Sequence, residues 1–313
     1  MTLFSIPANP VPDGAVTGEI VAADGVRLRY ARFMPREGRR GTVALFPGRA
    51  EFIEKYFEVV RELNARGFAV AALDWRGQGG SQRLLSNPAK GHVHRFSDYL
   101  TDLDAFARQV MLPDCPPPHF ALAHSMGGTI LLQAVVAGRR WFDRMVLSAP
   151  MLGLCVVPAE DLVRPLISTL SVLGLSRAFV PGGGSKPVTE LPFEGNIVTS
   201  DAVRYARARE MVRSHPELGL GAPTIGWLKA AYDAMDTLAE PETITSIRQP
   251  LLMVAGGAER LVSNGAIEHL SARLIAGAHV VVPASRHEIL MERDIFRAQF
   301  WAAFDAFIPG TPI

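Results

Sequence analysis

His119-Phe120-Ala121-Leu122-Ala123-His124-Ser125-Met126-Gly127-Gly128 is the stretch that decides the fold. Its first half is a short apolar run that reads as a buried strand, and its continuation toward Gly138 reads as a helix. A serine falls on the turn between them. A serine hydroxyl is a poor nucleophile at its ordinary pKa and needs exposure, a nearby base and an anion trap. A sharp strand-to-helix turn supplies the exposure, and the helix N-terminus supplies unpaired backbone N–H groups for the trap. The small residues two before and two after the serine, Ala123 and Gly127, are what such a strained turn demands. The usual pattern has glycine where this chain has Ala123, so the rest of the sequence must arbitrate.

Working outward, short β-branched runs alternate with helical patterns, which predicts a mostly parallel sheet covered by helices. Strands are expected over 17–21 and 26–33, flanking Asp24-Gly25 as a hairpin, and over 42–46, 68–73, 120–123 and 145–147. Tyr56, Val59, Val60 and Leu63 recur at helical spacing and Gly67 can end that helix. Ser97 is the expected N-cap of a helix carrying Leu100, Leu103, Phe106, Ala107 and Val110. The rhythm breaks over about 151–245, where no strand is evident and Leu228, Ala231, Tyr232, Met235 and Leu238 form an amphipathic stripe. It returns with strands over 251–255 and 279–282 and a last helix bearing Phe296, Phe300 and Phe304. The division expected is a core over 1–150, a helical cap over 151–245 and the rest of the core over 246–313.

The bulk numbers set bounds. A chain of 313 residues and 34.0 kDa suffices for one large α/β domain with an insertion. A formal net charge of +1 gives no reason to expect nucleic acid as a partner. Cys115 and Cys155 have no metal-ligand or redox-motif spacing and read as thiols of a reducing compartment. The N-terminal residues lack the basic and long apolar regions of a secretory signal, and no stretch is apolar enough to cross a bilayer. A cytoplasmic protein, peripheral at most to the inner face of a membrane, is expected.

Reactive groups in open parallel sheets gather beyond the carboxyl ends of strands. Four features fall there: Pro47-Gly48-Arg49, Ser125, Glu259 and His287. His287 has the pKa range of a general base, and Glu259 is placed to bind its other ring nitrogen and fix its tautomer. The backbone N–H groups of Arg49 and Met126 are the candidate oxyanion donors. Glu259 beside Arg260 also reads as a surface ion pair, but no acid follows the 145–147 strand before Glu160 to compete for the role. No metal ligand set and no cofactor loop are expected. Gly182-Gly183-Gly184-Ser185-Lys186 lacks phosphate-loop spacing, and His92 and His94 have no acid or thiol partner at sensible spacing.

The order Ser, acid, His, each at a strand end, resembles the α/β-hydrolase superfamily. Phe46-Pro47-Gly48-Arg49-Ala50-Glu51 resembles the His-Gly-x-x-Glu segment of monoacylglycerol lipases and lysophospholipases, with Pro47 in place of His. Asp74-Trp75-Arg76-Gly77-Gln78-Gly79-Gly80-Ser81 matches their Asp-x-Arg-Gly-x-Gly-x-Ser turn. His124-Ser125-Met126-Gly127-Gly128 matches their nucleophile segment and His287-Glu288-Ile289-Leu290 resembles their histidine segment. Gly91-His92-Val93, Phe96-Ser97-Asp98-Tyr99, Gly195-Asn196, Thr199-Ser200-Asp201 and Arg204-Tyr205 are similar to the bacterial lysophospholipase L2 group. The resemblance implies an eight-stranded, mostly parallel α/β-hydrolase sheet with a helical cap. It further implies hydrolysis of a monoacyl lipid ester through an acyl-enzyme. Glu259 stands where Asp is commoner.

Two expectations concern the cap. Arg204, Arg207, Arg209 and Arg213 fall on one predicted helix, so Arg204, Arg207 and Arg213 are candidates for a head-group phosphate; the other reading is a solvated face in which Glu210 pairs with Arg207. Leu166, Ile167, Leu170, Val172, Leu173 and Leu175 would line an acyl tunnel, meet a membrane surface or form cap core. A small-ester or peptide-like amide hydrolase, and a non-catalytic binding protein on the same fold, remain alternatives. Oligomeric state is not legible.

Overall fold

The computed structural model describes residues 2–38, 40–157 and 159–309. Eight strands form one sheet: β1 (Ala15–Val21), β2 (Arg27–Phe33), β3 (Thr42–Phe46), β4 (Ala69–Leu73), β5 (His119–His124), β6 (Arg144–Ser148), β7 (Leu251–Gly256) and β8 (Gly277–Val282). Their order is β1-β2-β4-β3-β5-β6-β7-β8. The hairpin turns at Asp24-Gly25, with Gly25 at φ 83°, and β1–β2 and β2–β4 are antiparallel while every later pair is parallel. This is the eight-stranded, mostly parallel sheet that the sequence predicts.

The helices are α1 (Phe57–Ala65), α2 (Ser97–Phe106), α3 (Leu112–Asp114), α4 (Met126–Val136), α5 (Glu160–Leu170), α6 (Ala202–Ser214), α7 (Ile225–Ala239), α8 (Pro241–Ser246), α9 (Asn264–Ser271) and α10 (Asp294–Phe307). The alternation of strand side chains sorts them into two layers. Val43, Leu45, Phe120, Leu122, Val146, Leu252 and Val254 point to a core shared with α1 and α10 through Val59, Val60, Leu63, Phe300 and Phe304. Ala44, Phe46, Ala121, Ala123, Leu147, Met253 and Ala255 point to a core shared with α2, α4, α7 and α9. Both faces are covered, which is why these strands read as continuous apolar runs.

Two local expectations shift. The helix expected to begin at Glu54 starts as a 3-10 turn (Ile53–Tyr56) before α1 takes over, and Gly67, at φ 84°, ends it. Ser97 is the first residue of α2 and makes no capping bond; the Asp98 carboxylate accepts from Arg95 N instead, at 3.1 Å. Between β6 and β7 the chain runs through α5 to α8 without a named strand. None of the described helices is long and apolar enough to cross a membrane.

The Asp74–Ser81 turn explains its own composition. Asp74 Oδ2 accepts from Arg29 Nε (2.8 Å) and Gly80 N (2.7 Å), and Oδ1 accepts from Ile53 N (3.0 Å). A Cβ on Gly79, already at φ 54°, would collide with that carboxylate. Gln78 reaches back to the loop after β3, where its Nε2 donates to Gly48 O (2.7 Å) and Glu51 O (3.1 Å). Arg29 is buried and shared between Asp74 and Glu54. Replacing Arg29 with Met should strand two buried carboxylates and lower the unfolding free energy by about 3–5 kcal/mol. Urea denaturation monitored by tryptophan fluorescence measures this, and an unchanged midpoint would contradict it.

Candidate active site

Ser125 joins β5 to α4 at φ 47° and ψ −114°, a conformation that costs a residue with a side chain about 1–3 kcal/mol. Surrounding bonds hold it there: Ser125 N donates to Ser148 O at 3.0 Å, and Ser125 O accepts from Gly128 N (2.9 Å) and Met151 N (3.1 Å). A Cβ at Gly127 would lie 2.6 Å from Phe46 O and 2.8 Å from Pro47 O, so only glycine lets α4 approach β3 this closely. Ala123 pairs with Phe46 and Leu147 inside the sheet and is fully buried, and here alanine suffices.

His287 lies in the loop beyond β8, and Glu259 in the loop beyond β7. Glu259 Oε2 accepts from His287 Nδ1 at 2.7 Å, with the two side chains 1% and 4% exposed. Its other oxygen accepts from the backbone N–H groups of Arg260 (2.9 Å), Leu261 (2.7 Å) and Val262 (3.3 Å). Burial pushes the Glu259 carboxyl up, but the His287 hydrogen bond and charge, aided by these N–H groups, prevail and hold it below its usual range. The carboxylate is therefore no surface partner of Arg260. The longer glutamate arm reaches His287 while being cradled by its own loop.

With Nδ1 engaged by Glu259, His287 has Nε2 left for chemistry. Its neighbour across the site is His124, whose ring centroid lies 4.7 Å away and whose Nε2 faces His287 O at 3.3 Å. Ser125 is the next residue in the chain. Ser125 Oγ makes no hydrogen bond among the described residues, and nucleophile–base contacts commonly tighten only around a bound substrate. Among the described residues the backbone N–H groups of Arg49 and Met126 donate to no protein atom, and Met126 is the first residue of α4. Gly48 packs against Ser125, since a Cβ there would sit 3.3 Å from Ser125 Cβ. Two free donors thus flank the serine.

A buried polar cluster that the sequence reading did not identify lies behind these groups. Glu51 Oε2 accepts from Gly48 N, Tyr56 Oη (2.6 Å) and His124 Nδ1 (3.0 Å), and Oε1 accepts from Lys55 Nζ at 2.8 Å. Lys55 Nζ also reaches Glu288 at 2.7 Å. Both ring nitrogens of His124 face oxygen acceptors, which only the imidazolium satisfies. Burial would lower the His124 pKa, but the Glu51 carboxylate raises it above its ordinary value. Glu51 is also desolvated, yet His124 and Lys55 hold it well below the carboxylate range. The only sequence signal for Glu51 was its place in the Gly48-to-Glu51 motif.

The cap arginines sit elsewhere than expected. Arg204 binds Glu58 (2.6 Å), Asp201 (2.8 Å) and Asp294 (2.6 Å), and donates to Glu292 O at 3.0 Å. Arg207 pairs with Glu58 rather than Glu210. The Arg204 guanidinium is thus committed to protein groups, whereas Arg207 is bound through Nη2 alone. Arg213 is exposed near the end of α6. Arg204 instead braces the histidine loop: Glu292, whose carbonyl it binds, also accepts from Arg286 N (3.0 Å) and Ser200 N (3.0 Å). Arg286 in turn donates to Asn196 O and Thr199 O. His92 is pinned to the cap by Thr224, with Nδ1 and Oγ1 2.8 Å apart.

Three outcomes follow from this geometry. Glu259→Gln should lower kcat on the order of 10⁴-fold with a modest change in KM, and steady-state kinetics on a soluble ester measures it. Because its folded pKa is depressed, Glu259 adds stability above its ordinary value of 4.5; that stability is lost as pH falls through the folded value. The stability gap between the wild type and Glu259→Gln should therefore close on acidification, as thermal melts across pH 3 to 7 test. Glu51→Gln, which disturbs loop placement without touching substrate, should cost about 10- to 100-fold in kcat and flatten the acid side of the pH–stability curve.

The family model described as serine aminopeptidase, S33 matches residues 37–294. Lysophospholipase L2 of Escherichia coli (strain K12) is 31% identical over 291 residues, covering 90% of this chain and 83% of that protein. The monoacylglycerol lipase of Mycolicibacterium smegmatis is 30% identical over 276 residues, covering 86% and 88%. Among solved structures, a soluble variant of monoglyceride lipase from Saccharomyces cerevisiae in complex with a substrate analog superposes with a TM-score of 0.75 at 18% identity over 97% of each chain. That likeness is one of fold. By the extent of the family match and the identity to its relatives, this chain belongs to the serine aminopeptidase S33 family of α/β hydrolases.

Proposed function

We propose that this protein is a serine hydrolase that cleaves the carboxylic ester of a monoacyl lipid, a lysophospholipid or a monoacylglycerol. The observation that carries the reading is a buried His287–Glu259 pair at 2.7 Å whose imidazole lies 4.7 Å from the ring of His124, the residue before the serine on the strained strand–helix turn. The match along most of the chain to a lysophospholipase and a monoacylglycerol lipase supports the substrate class.

In this reading Ser125 Oγ attacks the ester carbonyl carbon while His287 Nε2 takes the hydroxyl proton. Glu259 stabilises the imidazolium that forms, without itself being protonated. The carbonyl oxygen, now negative, accepts hydrogen bonds from Arg49 N–H and Met126 N–H. Collapse breaks the bond to the alcohol oxygen, and His287 returns its proton to that leaving group. Water, deprotonated by His287, then attacks the acyl-serine and releases the fatty acid.

The segment from β6 to β7 acts as the cap over this site. Within it Ile167 turns inward, while Leu162, Val172 and Leu173 are 74%, 85% and 69% exposed. Such an apolar ridge fits peripheral contact with a lipid surface, from which a monoacyl substrate would enter. The free thiols Cys115 and Cys155 fit a reducing, cytoplasmic setting.

A fluorophosphonate probe should label the wild type and not Ser125→Ala; an unlabelled wild type would favour the binding-protein alternative. Lysophosphatidylcholine and monoolein should be cleaved in preference to p-nitrophenyl acetate and to amino-acid anilides, and the reverse order would favour the small-ester or amide alternative. The triple variant Leu162→Ser, Val172→Ser, Leu173→Ser should cosediment less with phosphatidylglycerol-containing vesicles than the wild type while retaining turnover of soluble esters.

A further inference from the structure

Arg49 presents a second chemistry besides its backbone N–H. Its side chain does not pair with Glu51 or Glu54, whose carboxylates are committed to His124, Lys55, Tyr56 and Arg29. It runs instead between the core and the cap. Nη2 donates to Gly221 O at 2.6 Å, and the guanidinium lies over the Trp227 ring at 5.3 Å. It passes so close to Gly91 that a Cβ there would sit 2.9 Å from Nη2. The wall around it is thus one core loop (Gly91) and one cap segment (Leu220, Gly221, Trp227).

This cation is under-satisfied. Nε is buried without any hydrogen-bond partner. Nη1 likewise donates to no protein atom, and no carboxylate pairs with Arg49 among the described residues. Burial is the main influence on the group and pulls its pKa down to about 10, with only slight relief from Tyr99. A guanidinium has five N–H donors in a planar fork that suits carboxylate and phosphate oxygens. One carbonyl and one aromatic face leave most of that fork unused. A half-buried guanidinium with a buried, unpartnered Nε beside Gly221 and Trp227 is complementary to an anion, and it belongs to the residue whose backbone N–H is the candidate oxyanion donor.

We propose that the Arg49 guanidinium is the subsite for the phosphate oxygens of a lysophospholipid head group, so that one residue holds the oxyanion by its backbone and the head group by its side chain. The inference rests on the monoacyl-lipid reading above and deepens it.

The test compares kcat/KM for 1-oleoyl-lysophosphatidylcholine and 1-monooleoylglycerol in the wild type, Arg49→Lys and Arg49→Met. The ratio of the two should fall at least tenfold in Arg49→Met, with Arg49→Lys intermediate because it keeps the charge and loses the fork. In the wild type alone, sn-glycerol 3-phosphate should compete with p-nitrophenyl butyrate, and glycerol should not. An unchanged ratio in an Arg49→Met protein that folds, with a wild type that cleaves both lipids, would overturn the subsite and leave the monoacyl-lipid function standing. If the wild type cleaves neither lipid, the function and the subsite fall together. If inorganic phosphate competes as strongly as sn-glycerol 3-phosphate, the site takes free phosphate and the head-group assignment is wrong. Should Arg49→Met not fold, the wild-type competition decides: absence of inhibition by sn-glycerol 3-phosphate rejects the subsite.

Discussion

The carboxylate of Glu51 is the point at which three loops become one site. It receives the N–H of Gly48 from the loop after β3, the ring of His124 from the strand that leads into Ser125, and the ammonium of Lys55, which also binds Glu288 beside His287. The loop after β3, the end of β5 and the loop after β8 come from separate parts of the chain and would be free to drift without a shared anchor. Burying an anion is costly, and two cations and a phenol hydroxyl offset that cost. The arrangement makes the spacing between the free donor at Arg49, the serine and the histidine loop depend on a single buried charge cluster rather than on three independent loops.

A second anchoring layer fixes the loops from the far side. Gln78 clamps the loop after β3 through Gly48 O and Glu51 O, while Asp74 holds Ile53 and Arg29. Glu292 gathers Arg286 N and Ser200, joining the histidine loop to the cap segment around Thr199. Residues such as Asn196, Thr199 and Arg204 therefore serve the site through placement. They tie the segment between β6 and β7 to the loop that carries His287. Arg49 continues this theme from the other side, because its side chain reaches cap residues Gly221 and Trp227 from the loop that carries its own free N–H.

The sheet was legible because its signal is local and repeated. Apolar runs of strand length, each followed by Gly, Pro or a polar cluster, mark β3, β4, β5 and β7, and the small residues around Ser125 mark the turn. Element edges were less legible. The 3-10 turn at Ile53 arises because Asp74 captures Ile53 N from another strand end, a long-range bond that no periodicity records. Ser97 is the first residue of α2 and caps nothing, while the Asp98 carboxylate inside the helix accepts from Arg95 N ahead of it, a choice that only geometry makes.

By itself, the sequence determined the α/β rhythm, the order of serine, acid and histidine along the chain, and the glycine that lets α4 approach β3. These are properties of short segments, fixed by side-chain periodicity and by the backbone freedom of single residues. Tertiary structure alone decided the partners of charge. Glu259 found His287 rather than Arg260, Arg204 and Arg207 found Glu58 rather than solvent or Glu210, and Arg49 found no carboxylate among the described residues. Ion pairs form between groups distant in sequence, and their strength is set by burial. Only the folded chain specifies both.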